Sequence, residues 1–258
     1  MADDHDIDII ALQEGASKAT VDSIVGSEWK SIITQECPFA TQIGNQPVTP
    51  MLGQKRFNVL LKKVSATDID LVERPMAPTI QSSQKFKDKY LGTPVATRSG
   101  RTAKAAVDSS KLNQLGMRSP QLAQLNVAGC MSASLYNNHA PQGSGSAVGY
   151  SGMEAPIGHE VLGMVIDDDP TPYKAVIGDQ NAHPGSMRKH YPSKKTGSGY
   201  EILSATNSAT ELVHAAIPSG LKPQPIDLGQ DGRDFNNKGQ PGCSDHPPMA
   251  FTMTLPPF

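Results

Sequence analysis

The chain has 258 residues, of which 37% are hydrophobic, 19% charged and 5% aromatic, with a formal net charge of −2 at pH 7. This length allows one large domain or two small ones, and the composition suits a soluble globular protein whose modest core is diluted by loop residues, 23 Gly and 21 Pro among them. A protein coated in positive charge is excluded, no apolar run reaches the length of a membrane span, and the acidic start Met1-Ala-Asp-Asp-His-Asp6 lacks the basic and apolar regions of a secretory signal.

In chain order, the apolar run 7–12 predicts a strand that ends in Gln13-Glu14. Val21, Ile24, Val25, Trp29, Ile32 and Ile33 recur at helical spacing and predict a helix within 18–33. Residues 57–64 read as a strand. Residues 75–117 are rich in Pro, Ser, Lys and Gly without periodicity and read as a long basic loop or insertion. Residues 122–127 and 130–136 read as short strands, the second closed by the turn that begins at His139. A helix is expected over 158–166, ended by the Asp-Asp-Asp-Pro turn at 167–170, and a strand over 173–177. Residues 211–217 fit either strand or helix, 218–242 read as polar loop, and 248–255 as the last strand. No repeat with a period of 20–50 residues is present, so a solenoid is not expected. The whole chain, 1–258, is read as a single domain.

Charge and cysteine add two local readings. Lys85, Lys87, Lys89, Arg98, Arg101, Lys104, Lys111 and Arg118 face only Asp88 and Asp108 within 85–118, and Arg188, Lys189, Lys194 and Lys195 follow without an acid. Such segments suit a polyanion or simply solvated surface. Cys37, Cys130 and Cys243 are odd in number and form no Cys-x-x-Cys pair, which disfavours structural zinc and allows one disulfide at most. Cys243 stands beside Ser244-Asp245-His246. A small residue at a strand start is preferred to a nucleophile there.

Four expected strand ends present polar groups: Glu14, His139, Asp179 with Asn181, and Asp245 with His246. Asp179 and Asn181 are two apart, so alternation turns them to the same side of the strand. Three carboxylates and an amide without a cysteine favour a hard cation, Mg²⁺ with Mn²⁺ or Ca²⁺ as alternatives. Histidines beside them can act as acid, base or phosphate donor. Together these residue types point to phosphoester hydrolysis, in which a cation neutralises charge developing on phosphate and a base activates water.

The runs Asp8-Ile-Ile-Ala-Leu-Gln-Glu14, Leu135-Tyr-Asn-Asn-His-Ala-Pro141, Val176-Ile-Gly-Asp-Gln-Asn-Ala182 and Ser244-Asp-His-Pro247 stand in one order across nearly the whole chain. In this order they resemble the endonuclease/exonuclease/phosphatase family, which includes deoxyribonuclease I and the active subunit of cytolethal distending toxin. The resemblance implies an α/β (α+β) four-layer sandwich, two packed, mostly antiparallel sheets flanked by helices. It implies that Glu14 and Asp245 are metal-side carboxylates and that His139 donates to the scissile phosphate. Asp179 and Asn181 would orient the attacking water and contact phosphate or metal, and His246 would be general base or phosphate ligand. Arg118, in Met117-Arg-Ser-Pro, looks like a phosphate-gripping arginine, a role suited to a bidentate guanidinium, with an ordinary surface arginine as the alternative.

The function implied is an endonuclease cutting DNA, with delivery or toxin partner subunits expected for a protein exported without a signal peptide, and a cytoplasmic location as the other option. A phosphoinositide or sphingomyelin phosphoesterase of the same fold, and a binding protein with an impaired site, are the competing readings. Three departures bear on activity. Only 13 residues precede Glu14, too few for the family's usual first strand ending in Trp-Asn, so that strand is expected to be absent or the chain start incomplete. Gln180 stands where an apolar residue is usual and needs hydrogen-bond partners if buried. Val213 stands where the family often has an aspartate, with Glu211 a substitute only after a shift in register.

Overall fold

Alternation within two apolar runs sets the architecture. Along 9–12, Ile9 and Ala11 join a core that holds Leu60, Leu135, Ala175 and Ile177, whereas Ile10 and Leu12 join a second cluster with Val21, Val59 and Leu61. A strand buried on both faces needs a continuous apolar run, and both 9–12 and 59–61 supply one. The computed structural model describes residues 6–15, 18–37, 42–43, 46–47, 56–74, 84–86, 95–96, 102–103, 120–140, 157–182, 187, 199–204, 213–228 and 248–258.

A three-stranded antiparallel sheet has the order β1 (Ile9–Gly15), β5 (Arg56–Lys63), β2 (Trp29–Cys37). Two-residue strands β3 (Gln42–Ile43) and β4 (Gln46–Pro47) form a small ladder between β2 and β5 in sequence. A six-stranded sheet, counted over the described residues, contains β6 (Ile69–Arg74), β9 (Gln121–Val127), β10 (Ala133–Asn137), β11 (Tyr173–Asp179), β12 (Tyr200–Ser204) and β13 (Val213–Pro218) in the order β12-β13-β11-β10-β9-β6. Strands β7 (Val95–Ala96) and β8 (Thr102–Ala103) pair with each other, as do β14 (Gln224–Ile226) and β15 (Ala250–Thr252).

The two larger sheets pack face to face. Leu60, Ile9 and Ala11 of the smaller sheet meet Leu71, Ala123, Leu125, Ala133, Leu135, Ala175, Ile177, Ala215 and Ile217 of the larger. Truncating a side chain as buried as Leu135 to alanine costs about 2–5 kcal/mol in such cores. Helix α1 (Lys18–Ile24) brings Val21 to the outer face of the smaller sheet, beside Val25 and Trp29. A short helix α2 (Gln84–Phe86) carries Lys85, whose ammonium donates to Asp167 at 2.5 Å.

Among the described residues, pairings in the large sheet are antiparallel except β10 with β11. A parallel pair cannot be closed by a tight turn and needs a crossover. Helix α3 (Ile157–Asp168) lies in that connection, burying Leu162, Val165 and Ile166 at helical spacing. The parallel pairing therefore sends the ends of β10 and β11 to the same rim. Among the described residues no helix is long and apolar enough to cross a membrane.

Several elements differ from the sequence reading. The helix expected over 18–33 stops at Ile24. Gly26 adopts φ +70°, a conformation that ends helices, and the β-branched residues Ile32, Ile33 and Thr34 then belong to β2. The ambiguous 211–217 segment is strand from Val213 onward. The expected polar loop 218–242 contains a 3₁₀ turn at Ser219–Leu221 and strand β14. Strands β6 and β12 were not expected. The last strand is only Ala250–Thr252, and the tail beyond it docks on the β9–β10 turn, where Met131 N–H donates to Pro256 O at 2.9 Å. Most of the 75–117 segment lies outside the described residues.

Beyond α3, Asp169 is buried beneath the large sheet. Its Oδ2 accepts from Tyr136 Oη at 2.6 Å and its Oδ1 from Thr171 N–H at 2.9 Å, and Arg74 stands 3.5 Å away. Burial alone would raise the Asp169 carboxyl. Hydrogen bonds from Tyr136 and from Thr171 outweigh it and hold the group below its ordinary value, while burial, then the same bond, drives the Tyr136 phenol up. A carboxyl lowered by folding contributes stability above its unfolded pKa and loses it as pH falls through the folded value. Chemical denaturation is therefore expected to show wild type losing more stability than Asp169→Asn between pH 7 and pH 3. Tyr136→Phe should cost about 1–3 kcal/mol at pH 7, because it strips a buried carboxylate of a donor.

Candidate active site at the strand ends

The parallel ladder of β10 and β11 continues past the strands themselves. Asn138 N–H donates to Ile177 O at 2.8 Å and Ala140 N–H to Asp179 O at 2.9 Å, which fixes His139 beside Asp179. His139 Nε2 lies 3.6 Å from Asp179 Oδ2, an electrostatic contact longer than a hydrogen bond. The other carboxylate oxygen, Oδ1, accepts from Asn181 N–H at 2.9 Å, an Asx turn that holds Asn181 at φ +43°. Asn181 Nδ2 donates to Ala140 O at 2.8 Å, and its Oδ1 has no hydrogen-bond partner among the described residues. His139, Asp179 and Asn181 are 5%, 7% and 3% exposed, so their charges and dipoles act in a poorly hydrated setting where each is strong.

The end of β1 reaches the same place. Its pairing with β5 slips between Leu12, opposite Val59, and Gly15, opposite Phe57. Two residues, Gln13 and Glu14, thus stand against one, a β-bulge of the kind that re-aims chain at sheet rims. Gln13 Nε2 donates to Asn137 Oδ1 at 2.5 Å, and Asn137 Nδ2 donates to Leu12 O at 3.2 Å. The bulge is held against β10, two residues from His139. Of Glu14 only the backbone is described.

Gly178 makes this convergence sterically feasible. It has φ +118°, and a Cβ at this position would overlap the carbonyl oxygen of Asn138 and lie 2.9 Å from Gln13 Nε2. Gln180, the residue out of keeping with an apolar site wall, is fully buried and well partnered. Its Oε1 accepts from Asn138 Nδ2 at 2.8 Å, its Nε2 faces Gly178 O at 3.3 Å and His214 O at 3.5 Å, and its backbone oxygen meets His159 Nε2 at 2.8 Å. On β13, Val213 is the direct partner of Asp179, and His214 Nδ1 lies 3.0 Å from Ser204 Oγ.

Of the residues expected from sequence, the structure thus brings together His139, Asp179 and Asn181, with the backbone of Glu14 on the adjacent bulge. Arg118, Asp245, His246, Glu211 and Cys243 lie outside the described residues. Among the described residues no three His, Cys, Asp or Glu side chains group as a metal centre. Gln13, Asn137 and Asn138 were missed. A signal existed, because Asn137 follows Ala133 and Leu135, and Gln13 follows Ile9 and Ala11, at the inward positions of apolar strands. An open pocket of about 490 Å³ lies elsewhere, at the opposite ends of these strands, lined by Arg74, Gln124, Ser132 and Thr171 among others. Its lining contains none of the groups expected to do chemistry.

No family model matches the chain, and no curated protein matches it. Among solved structures it is similar to an endonuclease/exonuclease/phosphatase family protein from Leptotrichia buccalis C-1013-b. The TM-score is 0.43 and the identity 11%, with 98% of this chain and 89% of that one covered. It is also similar to the Haemophilus ducreyi cytolethal distending toxin, with a TM-score of 0.41, 11% identity, and 96% and 86% coverage.

Two substitutions separate backbone geometry from partner supply. Gly178→Ala is expected to lower the unfolding free energy by at least about 1–3 kcal/mol through strain at positive φ, with the steric overlap adding to it. Gln180→Met, similar in volume, should cost about 1–3 kcal/mol by stranding Asn138 Nδ2. Urea denaturation of both variants measures each cost. A neutral Gln180→Met would mean that the buried amide contacts contribute nothing net.

Proposed function

We propose that this chain hydrolyses phosphodiesters with a divalent cation, and that its substrate is DNA, cut internally. The observation that carries the reading is the convergence of Asp179, His139, Asn181 and the bulged end of β1 on one rim of two packed sheets. The four-layer sandwich of deoxyribonuclease I-like domains is the framework it assumes.

The residues present suit a hard cation. Asn181 Oδ1 is a buried oxygen without a partner among the described residues, on a turn built by the Asp179 carboxylate. Glu14, Asp179, Asn181 and Asp245 would hold Mg²⁺ or Mn²⁺, which supplies positive charge to phosphate oxygens when bound. The chain's own groups do the rest. His139 donates a hydrogen bond to a non-bridging phosphate oxygen. Asp179 and Asn181 orient a water toward phosphorus, and His246 takes its proton as the new P–O bond forms. The bond to the leaving oxygen breaks, and that oxygen takes a proton from solvent. Arg118 and the basic stretches around it grip neighbouring phosphates, an affinity that falls steeply with salt. Delivery or toxin partner subunits remain part of this proposal.

Incubating the chain with supercoiled plasmid and Mg²⁺ or Mn²⁺ should give nicked circles, and chelator should abolish them. Asp179→Ala should slow nicking at least about 100-fold, the scale expected when a reacting water is no longer held in place. Cleavage at the wild-type rate by that variant would show the reading of this loop to be wrong. A chain silent on plasmid that releases phosphate from inositol lipids would move the substrate class to phospholipid.

A further inference from the structure

We infer that Gln13 and Asn137 are positioning residues, which fix the bulged end of β1, and with it the backbone of Glu14, against the strand that carries His139. The inference rests on the metal-dependent reading above and deepens it.

The bulge creates the need. Between the Leu12–Val59 and Gly15–Phe57 pairs, two residues of β1 face one of β5, so the ladder cannot hold both in regular register. A carboxylate meant to meet a cation tolerates little freedom, since a site loose by about 1 Å loses most of its function. The facing sheet supplies the missing restraint. Asn137 is fully buried between the sheets, two residues beyond Leu135 at the end of β10, at a position where alternation calls for an apolar side chain. Its amide instead spans both sheets. Oδ1 accepts from Gln13 Nε2 at 2.5 Å, while Nδ2 donates to Leu12 O at 3.2 Å and Gln121 Oε1 at 3.1 Å, with Val59 O at 3.5 Å. Leu12 and Gln13 open the bulge, Val59 is on its partner strand and Gln121 is on the next strand of the large sheet. One side chain therefore ties the irregular segment of the small sheet to the strand end from which His139 projects. A leucine here would fill the space and leave residues 13–14 unanchored.

A merely structural amide would move stability alone. A positioning amide moves metal affinity and turnover as well. With folding checked by circular dichroism, Gln13→Ala and Asn137→Ala are each expected to bind Mn²⁺ roughly 10- to 100-fold more weakly in calorimetry without substrate. Their kcat on plasmid should fall by a similar factor, with KM little changed. The double variant should be no weaker than Asn137→Ala, which already removes the contact that Gln13→Ala loses. Ser132→Ala, which removes a 2.7 Å bond to Asn126 away from the site, should keep both properties. Should Asn137→Ala not fold, Gln13→Ala, whose side chain is only partly buried, decides the matter. Wild-type Mn²⁺ affinity and cutting in the folded variants overturn the inference and leave the metal-dependent reading standing. A wild-type chain that neither binds Mn²⁺ nor cuts any phosphodiester overturns both.

Discussion

At Gly178 the strands approach more closely than any side chain would permit. The Asn138 carbonyl and the Gln13 amide occupy the space where a Cβ would stand, and the backbone takes φ +118°, open at little cost only to glycine. Everything polar at the rim depends on that approach. The next residue is Asp179, the residue beside the intruding carbonyl is His139, and the residue after the intruding amide is Glu14. A glycine thus sets the spacing of the residues proposed to carry the chemistry, and it does so from the penultimate position of β11.

Polar groups gathered in this way are costly to bury, and the surrounding atoms offset the cost one by one. Asp179 caps the Asn181 N–H with one oxygen and faces His139 with the other. Gln180 is met by Asn138, Gly178, His214 and His159. Asn137 uses both ends of its amide. Against that background Asn181 Oδ1 stands out as a buried acceptor without a hydrogen-bond partner among the described residues. The far end of the same sheet answers the same problem differently, holding Asp169 with Tyr136 and Thr171 and leaving Arg74 at longer range.

Which features were legible in sequence follows from the range over which each is determined. The strands at 7–12, 57–64, 122–127 and 173–177 are apolar runs long enough to state their own burial, and they appear nearly where expected. The helix at 158–166 declares itself by period. The run 21–33 misled because Trp29, Ile32 and Ile33 satisfy a helical period by accident, while the stop at Gly26 is one residue's conformation. Strands β6 and β12 were missed because Ile69–Arg74 and Tyr200–Ser204 carry exposed charges, and of their residues Leu71 alone is buried. Asp179, Asn181 and His139 were legible as polar residues at strand ends. The amides behind them were not sought, because a lone Asn or Gln in an apolar strand says nothing of its partner 124 residues away. On β13, Val213 places an apolar residue directly opposite Asp179.

The span of that Gln13–Asn137 contact has a kinetic meaning. The rim is assembled from segments near residues 13, 138 and 180, and the link between the first two closes a loop of more than a hundred residues. Loop closure is unfavourable entropically, and contacts so distant in sequence form slowly and late. The β10–α3–β11 unit is more local and can order first. On refolding, the Gln13–Asn137 contact is then expected among the last to form, after the β10–α3–β11 unit has ordered.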